Sequence, residues 1–230
     1  MIVDNGHMTP AWKAAGNRFL DQLQSNVREA FLSLGKLRLY KRKSQVFRAG
    51  VRGKFVYLVE TGWVKIHQVS PKGKDVILWF CGPGEIFGLA GLPREVFAEA
   101  CTETKLRCIA RDDFLLFLKE HPEAALNIVE LLLGRLYVLS NAFLQATTES
   151  KKVRLIHLLL HLAYQHGRQI GLETCIDIPL TEQDFASMVG TSRQTISKQF
   201  SSMKKEGILR VSNRRIHLNN ERLKIFRLGE

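Results

Sequence analysis

The hydrophobic positions of this chain change period several times. Leu126, Val129, Leu133, Leu136, Ser140 and Phe143 alternate steps of three and four, the period of a coiled-coil seam. The whole stretch from Phe114 to His166 keeps a helical period, and Pro122, after His121, suits the first turn of a helix. A polar interruption over 147–152 predicts a hinge, and 152–166 a further helix. Upstream, residues 36–111 read differently: short runs rich in Val, Ile, Phe and Tyr are punctuated by Gly50, Gly53, Gly62, Gly73, Gly82, Gly84 and Gly88. Strands are predicted at 55–59, 63–69, 75–80 and 106–110, with the spacing of a β-sandwich or barrel. Before them come a loose start and one or two helices, marked by Phe19, Leu20 and Leu23, then Val27, Phe31 and Leu34.

After a connection over 167–178, residues 180–206 read as two short helices around a tight turn. Thr181 N-caps the first, with Asp184 as capping-box partner; Phe185, Met188 and Val189 form its apolar stripe, and Gly190 ends it. Thr191 is expected to open the second helix, with Gln194 as its box partner. Ile196, Phe200 and Met203 share one face; Arg193, Gln194, Ser197 and Lys198 share the other. This is the pattern of a helix-turn-helix. A short strand over 208–211, a turn at Ser212-Asn213-Arg214 and a return strand over 215–218 add a basic wing.

Side chains of these types on an outward helix face suit DNA, where an ordinary helix pair would show only a solvated basic face. Arginine can fork onto guanine O6 and N7, glutamine onto adenine N6 and N7, and lysine can reach guanine or phosphate. Ser192 and Thr195, near a helix N-terminus, suit a phosphate, as does Thr181 at the preceding cap. Arg214 and Arg215 would sit near the sugar-phosphate backbone. The charge agrees: among 230 residues, 34 Lys and Arg against 22 Asp and Glu give +12, and the last 80 residues carry +7 of it. With hydrophobic residues at 45%, a sizeable core is available.

Composition closes off other classes. Cys81, Cys101, Cys108 and Cys175 show no CxxC spacing, so a local zinc or iron–sulfur motif is not expected. No secretory leader is read at the N-terminus, and no run of about 18 apolar residues is found, so a cytoplasmic protein without a membrane span is expected. His157 and His161, at i and i+4, show no third metal ligand. A cupin-like enzyme needs a His-x-His with further ligands, and the β-region holds only His67. No nucleophile–base motif, phosphate-binding loop or dinucleotide fingerprint occurs, so the chain is not read as an enzyme. The other rival is a cyclic-nucleotide-type interaction module that binds no DNA.

The order of helix, glycine-punctuated β-roll, long helix, hinge and winged helix-turn-helix resembles the CRP/FNR family of bacterial transcription regulators. The matching pieces are Phe47-Arg48-Ala49-Gly50, Val56 to Lys65, Gly82-Pro83-Gly84-Glu85-Ile86-Phe87-Gly88, and Leu180 to Phe200. The resemblance implies an α+β chain in four parts: an N-terminal helical segment (1–35), a double-stranded β-helix or jelly-roll sensor domain (36–121), a dimerisation helix (122–148) and a winged helix-turn-helix domain (149–230). It implies a homodimer, joined along Leu126, Val129, Leu133, Leu136, Ser140 and Phe143, that binds an inverted-repeat operator in double-stranded DNA. If the protein is an activator, RNA polymerase is a further partner. Arg193, Gln194 and Lys198 take the base-reading positions, but Gln194 replaces the family's usual glutamate, which changes the base it suits.

For the effector, the resemblance points to Gly84, Glu85, Arg94, Leu139 and Ser140. Cyclic-nucleotide binders carry an Arg-Ser pair where this chain has Arg94-Glu95. A second anion 4 Å from a phosphate costs about 4 kcal/mol at an effective dielectric of 20. Leu139-Ser140 replaces Thr-Ser, and Leu139 cannot bond an adenine amine. Cyclic AMP is therefore disfavoured. An iron–sulfur sensor needs an N-terminal cysteine cluster, and the first cysteine is Cys81. Haem sensing through His67 or a cysteine, and a thiol switch between Cys101 and Cys108, stay open, as does any redox role of Cys81.

Overall fold

The computed structural model describes residues 18–213 and 215–227. The predicted loose start and the wing-tip Arg214 lie outside the described residues. By packing, the chain falls into two units that meet between Leu133 and Gly134.

In the first unit, a 3-10 turn (Phe19–Gln22) and α1 (Ser25–Ser33) precede eight strands: β1 (Lys36–Tyr40), β2 (Gln45–Phe47), β3 (Phe55–Thr61), β4 (Val64–Val69), β5 (Asp75–Cys81), β6 (Ile86–Phe87), β7 (Phe97–Ala100) and β8 (Thr104–Ala110). They form two antiparallel sheets in the orders β1-β8-β3-β6 and β2-β7-β4-β5. The alternation of β3 explains the sandwich. Val56 and Leu58 enter a core shared with Phe19, Val27, Phe31, Phe114 and Phe117. Tyr57 and Val59 point the other way, into a core shared with Val64, Ile66, Cys81 and Ala98. Both faces of one strand are thus buried, which fixes its register. Phe31 anchors the helical side, with ring centroids 5.0 Å from Phe19 and 5.2 Å from Phe117.

After β8 come α2 (Arg111–Glu120) and α3 (Pro122–Thr148). Helix α3 carries two apolar faces where the sequence suggested one. Ala124, Ile128 and Leu131 are buried in the helical-side core, whereas Leu126, Val129, Leu133, Leu136 and Phe143 are exposed, by 65% at Leu126 and 75% at Phe143. The paired faces also correct the expectation that nothing is apolar enough to span a membrane. Interrupted by Glu130 and Arg135, the helix has no unbroken apolar run, yet its mean hydropathy over an 18-residue window reaches 1.3. By length and composition alone it is the one described helix that could cross a bilayer.

In the second unit the break between helices is narrower than predicted: only Glu149 and Ser150 separate α3 from α4 (Lys151–His166). Ser150 caps α4 by accepting from the Val153 N–H, and Gln145 Nε2 lies 2.8 Å from His157 Nδ1 across the joint. Residues 167–178, read as a connection, hold a hairpin instead: β9 (Gly167–Ile170) and β10 (Glu173–Ile176), turning at Gly171 with φ +58°. Its strands escape the period-2 test, because all of β9 is exposed and Thr174, Cys175 and Ile176 are all buried. Then follow α5 (Glu182–Val189), α6 (Arg193–Lys205), β11 (Leu209–Ser212), β12 (Arg215–Asn219) and α7 (Asn220–Arg227). The strands form one antiparallel sheet, β11-β12-β10-β9, so the unpredicted hairpin widens the wing into a four-stranded sheet. Helix α7 was also unpredicted; Asn219 announces it, its side chain accepting from the N–H groups of Glu221 and Arg222 at 3.1 and 3.2 Å.

Candidate nucleic-acid interface

Helix α5 begins with a complete capping box. Thr181 Oγ1 accepts from the Asp184 N–H at 3.2 Å, and Asp184 Oδ2 accepts from the Thr181 N–H at 2.8 Å and its hydroxyl at 2.6 Å. The Thr181 hydroxyl proton is thus committed within the helix, which removes the free donor that a phosphate contact would use. At the other end Gly190 adopts φ +72°, and the N–H groups of Gly190 and Thr191 both bond to Ala186 O. That bond holds Thr191 in the turn and corrects the expected start of the second helix. Ser192 is the N-cap of α6, accepting from the Thr195 N–H at 3.1 Å, with no box from Gln194.

Packing then turns one face of α6 outward. Ile196, Phe200 and Met203 are buried, and Phe200 meets Phe185 of α5 edge-on at 5.1 Å between centroids. Arg193, Gln194 and Lys198 are exposed, while Thr195 and Ser197 are half-buried beside them. Ser192, Arg193, Gln194, Ser197 and Glu182 line one shallow cleft. The predicted reading residues are therefore brought together on a single exposed surface.

Two acids on this side escaped the sequence reading. Glu182 Oε2 lies 3.6 Å from Arg193 Nε. Asp177 lies 3.5 Å from Arg215 Nε and 3.7 Å from Arg168 Nε. Each is close only after folding; the sole hint in the sequence is an acid in the first turn of α5. The wing is pinned further along by Arg210, which donates from Nε to both Glu173 oxygens at 2.9 and 3.1 Å, with His217 Nδ1 3.4 Å from the same carboxylate. The hydrogen bond from Arg210 holds the Glu173 carboxyl below the usual range.

The effector candidates divide between the units. In the first unit Gly84, with φ +83°, and Glu85 form a tight turn tied to β3: the Gly84 N–H donates to Val59 O at 2.9 Å, and the Val59 N–H to Glu85 O at 3.0 Å. Arg94 is only 5% exposed. Its Nη2 donates to Phe55 O at 2.6 Å and Gly88 O at 3.2 Å, and its guanidinium carbon lies 3.9 Å from the Phe47 ring centroid. A Cβ on Gly88 would come within 3.1 Å of that nitrogen. Around it Tyr57 stacks on Phe87 at 5.1 Å. Arg94 thus clasps two backbone carbonyls inside an aromatic cage, while Glu95 is exposed. Leu139 and Ser140 belong to the second unit, both exposed on α3.

The remaining candidates carry less. None of the four cysteines is in a disulfide, and burial pushes the thiols of Cys108 and Cys175 up, against reactivity. His67 is buried against Phe97, 3.3 Å from Asp75. Burial pushes the His161 imidazole down to about 4. Among the described residues no three His, Cys, Asp or Glu side chains form a group that could hold a metal.

Comparison with known proteins places both units. Residues 37–121 match the cyclic nucleotide-binding domain, and residues 153–224 the Crp-like helix-turn-helix domain. The cyclic AMP receptor protein of Thermus thermophilus is 30% identical over 184 residues, 78% of this chain and 82% of that protein. The CRP-like cAMP-activated global transcriptional regulator of Mycobacterium tuberculosis is 28% identical over 189 residues, 80% and 84% of the two chains. The structure of FixK2 from Bradyrhizobium japonicum shares the fold at a TM-score of 0.74 and 23% identity, covering 83% of this chain and 96% of that one. A β-roll of the cyclic-nucleotide-binding type, a long helix and a Crp-like helix-turn-helix domain make the chain a member of the CRP/FNR family of transcription regulators, which are not enzymes.

Proposed function

We propose that the protein acts as a homodimer that recognises an inverted-repeat operator, one α6 per half-site, and that its β-roll senses a signal other than cyclic AMP. On this reading 36–121 is the sensor, 122–148 the dimerisation helix and 149–230 the DNA-binding part, working in the cytoplasm. Arg193, Gln194 and Lys198 face base edges; Ser192, Thr195, Ser197 and Arg215 face the backbone. The observation that carries the reading is the exposed face of α6, where Arg193, Gln194 and Lys198 stand opposite the buried Ile196, Phe200 and Met203. Dimerisation is supported by the unpartnered stripe from Leu126 to Phe143 on α3, which water otherwise covers. Two recognition helices related by a two-fold axis meet major grooves about 34 Å apart, hence the inverted repeat.

The two relatives above carry cyclic AMP in their names. Three features of this chain weigh against cyclic AMP. The guanidinium of Arg94 is already engaged by Phe55 O and Gly88 O. Glu95 stands where a phosphate would need a hydroxyl, and Leu139 offers no hydrogen bond to a purine. Calorimetry with cyclic AMP is expected to show no binding tighter than about 10 µM, or about −7 kcal/mol; tighter binding that also strengthened operator affinity would overturn this part.

The DNA part is tested by selecting operators from a random pool. Arg193→Ala is expected to relax choice at one base pair per half-site, at about 1–3 kcal/mol. Gln194→Glu is expected to move one position toward a pair presenting cytosine N4. An unchanged half-site for Gln194→Glu would mean that residue 194 touches no base.

A further inference from the structure

Arg193 has company on the DNA-facing surface. Its Nε lies 3.6 Å from Glu182 Oε2, with the arginine side chain 71% and the glutamate side chain 31% exposed. Both residues open a helix: Glu182 follows the Thr181 cap of α5, and Arg193 the Ser192 cap of α6. A carboxylate is favoured at a helix N-terminus, whereas a cation there is opposed by the helix dipole. The first turn of α6 contains no acid of its own. The other acid of the α5 first turn, Asp184, is committed to the N–H and hydroxyl of Thr181. Glu182 is therefore the carboxylate that answers Arg193, and the two line one cleft with Gln194 and Ser197.

This arrangement is costly for binding and nearly idle for folding. A 3.6 Å contact is too long for a hydrogen bond, and an ion pair this exposed contributes little to stability. Meanwhile a carboxylate on a surface that must approach a polyanion weakens binding to every sequence. A group that opposes binding in general can still improve the choice between sequences, because specificity is a difference of affinities.

We propose that Glu182 is a positioning residue that sets the specificity of Arg193. It holds the Nε edge of the guanidinium, so that the two Nη groups form the fork presented to the paired acceptors of a guanine. It also keeps the arginine from settling on the phosphates of any sequence. Without Glu182, Arg193 becomes a mobile cation that neutralises whichever phosphate is nearest. This inference rests on the reading of Arg193 as a base contact.

The test uses the full chain, the selected operator, the same operator altered at the Arg193 base pair, and operator-free DNA, with affinities measured across a salt series. Glu182→Gln is expected to bind operator-free DNA more tightly and to lose roughly three- to tenfold of its discrimination at that base pair. Its salt slope on operator-free DNA should steepen by about 0.9, one added phosphate contact. Glu182→Asp, which keeps the charge, should retain most of the discrimination. In an Arg193→Ala background Glu182→Gln should leave discrimination at that pair unchanged. Equal tightening on all sequences with discrimination intact would overturn the proposal, since the carboxylate would then act by plain repulsion. Arg193→Ala leaving discrimination at every pair untouched would instead overturn the base-reading assignment, so the two failures are distinct. Unfolding curves of the Glu182 variants that match the wild type establish that the comparison concerns recognition and not folding.

Discussion

Replacing Arg94 by alanine separates a ligand-binding role for this side chain from a structural one. Its Nη2 bonds to the carbonyl of Phe55 in β3 and of Gly88 just after β6, so one side chain fastens two stretches of backbone. Truncation leaves both carbonyls without that donor, at about 1–3 kcal/mol for each buried acceptor. It also removes a cation 3.9 Å from the Phe47 centroid, a desolvated contact of about 2 kcal/mol. Against this, burying the guanidinium is itself unfavourable: burial pushes its pKa down, with Tyr57 opposing, and Nε is buried with no partner among the described residues. Removing that penalty offsets part of the loss, so the net cost should be about 3–5 kcal/mol, a large fraction of the stability of an ordinary domain. The assay is built into the sequence. Trp63 directly precedes β4 and Trp79 lies in β5, so with Trp12 replaced by phenylalanine the fluorescence in a urea titration follows the β-roll and not the winged unit. Arg94→Ala is expected to lower the β-roll midpoint sharply, and Arg94→Lys to recover part of the loss. A change below about 1 kcal/mol would refute the clasp and return Arg94 to the effector site.

Two other perturbations follow from the same structure. Leu133→Glu with Leu136→Glu, at positions 58% and 61% exposed on α3, should convert a sedimenting dimer to monomer by setting four carboxylates into the seam, with each β-roll still folded; a wild type that is already monomeric at micromolar concentration would remove the dimer reading. His161 is half-buried as a residue, with its Nδ1 sealed from solvent. Its pKa of about 4 lies below the unfolded value of 6.5, so the unfolded chain takes up the proton first as pH falls. The neutral histidine thus adds stability that is full above about pH 6.5 and is lost toward pH 4, at most about 3 kcal/mol. His161→Leu should flatten that part of the pH profile of winged-unit unfolding followed by circular dichroism, and an unchanged acid slope would exclude the assignment.

Where one face of an element met solvent and the other a core, the sequence alone determined it. Ile196, Phe200 and Met203 at helical spacing suffice to orient α6, because a helix with one apolar face has one way to bury it. Gly190 likewise marked the end of α5, since few residues accept φ +72° cheaply. Periodicity failed where burial was uniform or came from two sides. The β9–β10 hairpin was invisible because β9 is wholly exposed while Thr174, Cys175 and Ile176 are all buried, and the second apolar face of α3 was hidden under the seam. What only the tertiary structure decided is how charge is paired. Arg94 lies 39 residues from Phe55, Arg210 lies 37 from Glu173, and Glu182 sits on a different helix from Arg193. A charged side chain has no periodic signature. Whether it reads a base, clasps a carbonyl or restrains another charge depends on which groups folding brings within a few ångströms, because electrostatic and hydrogen-bond energies fall off over that distance.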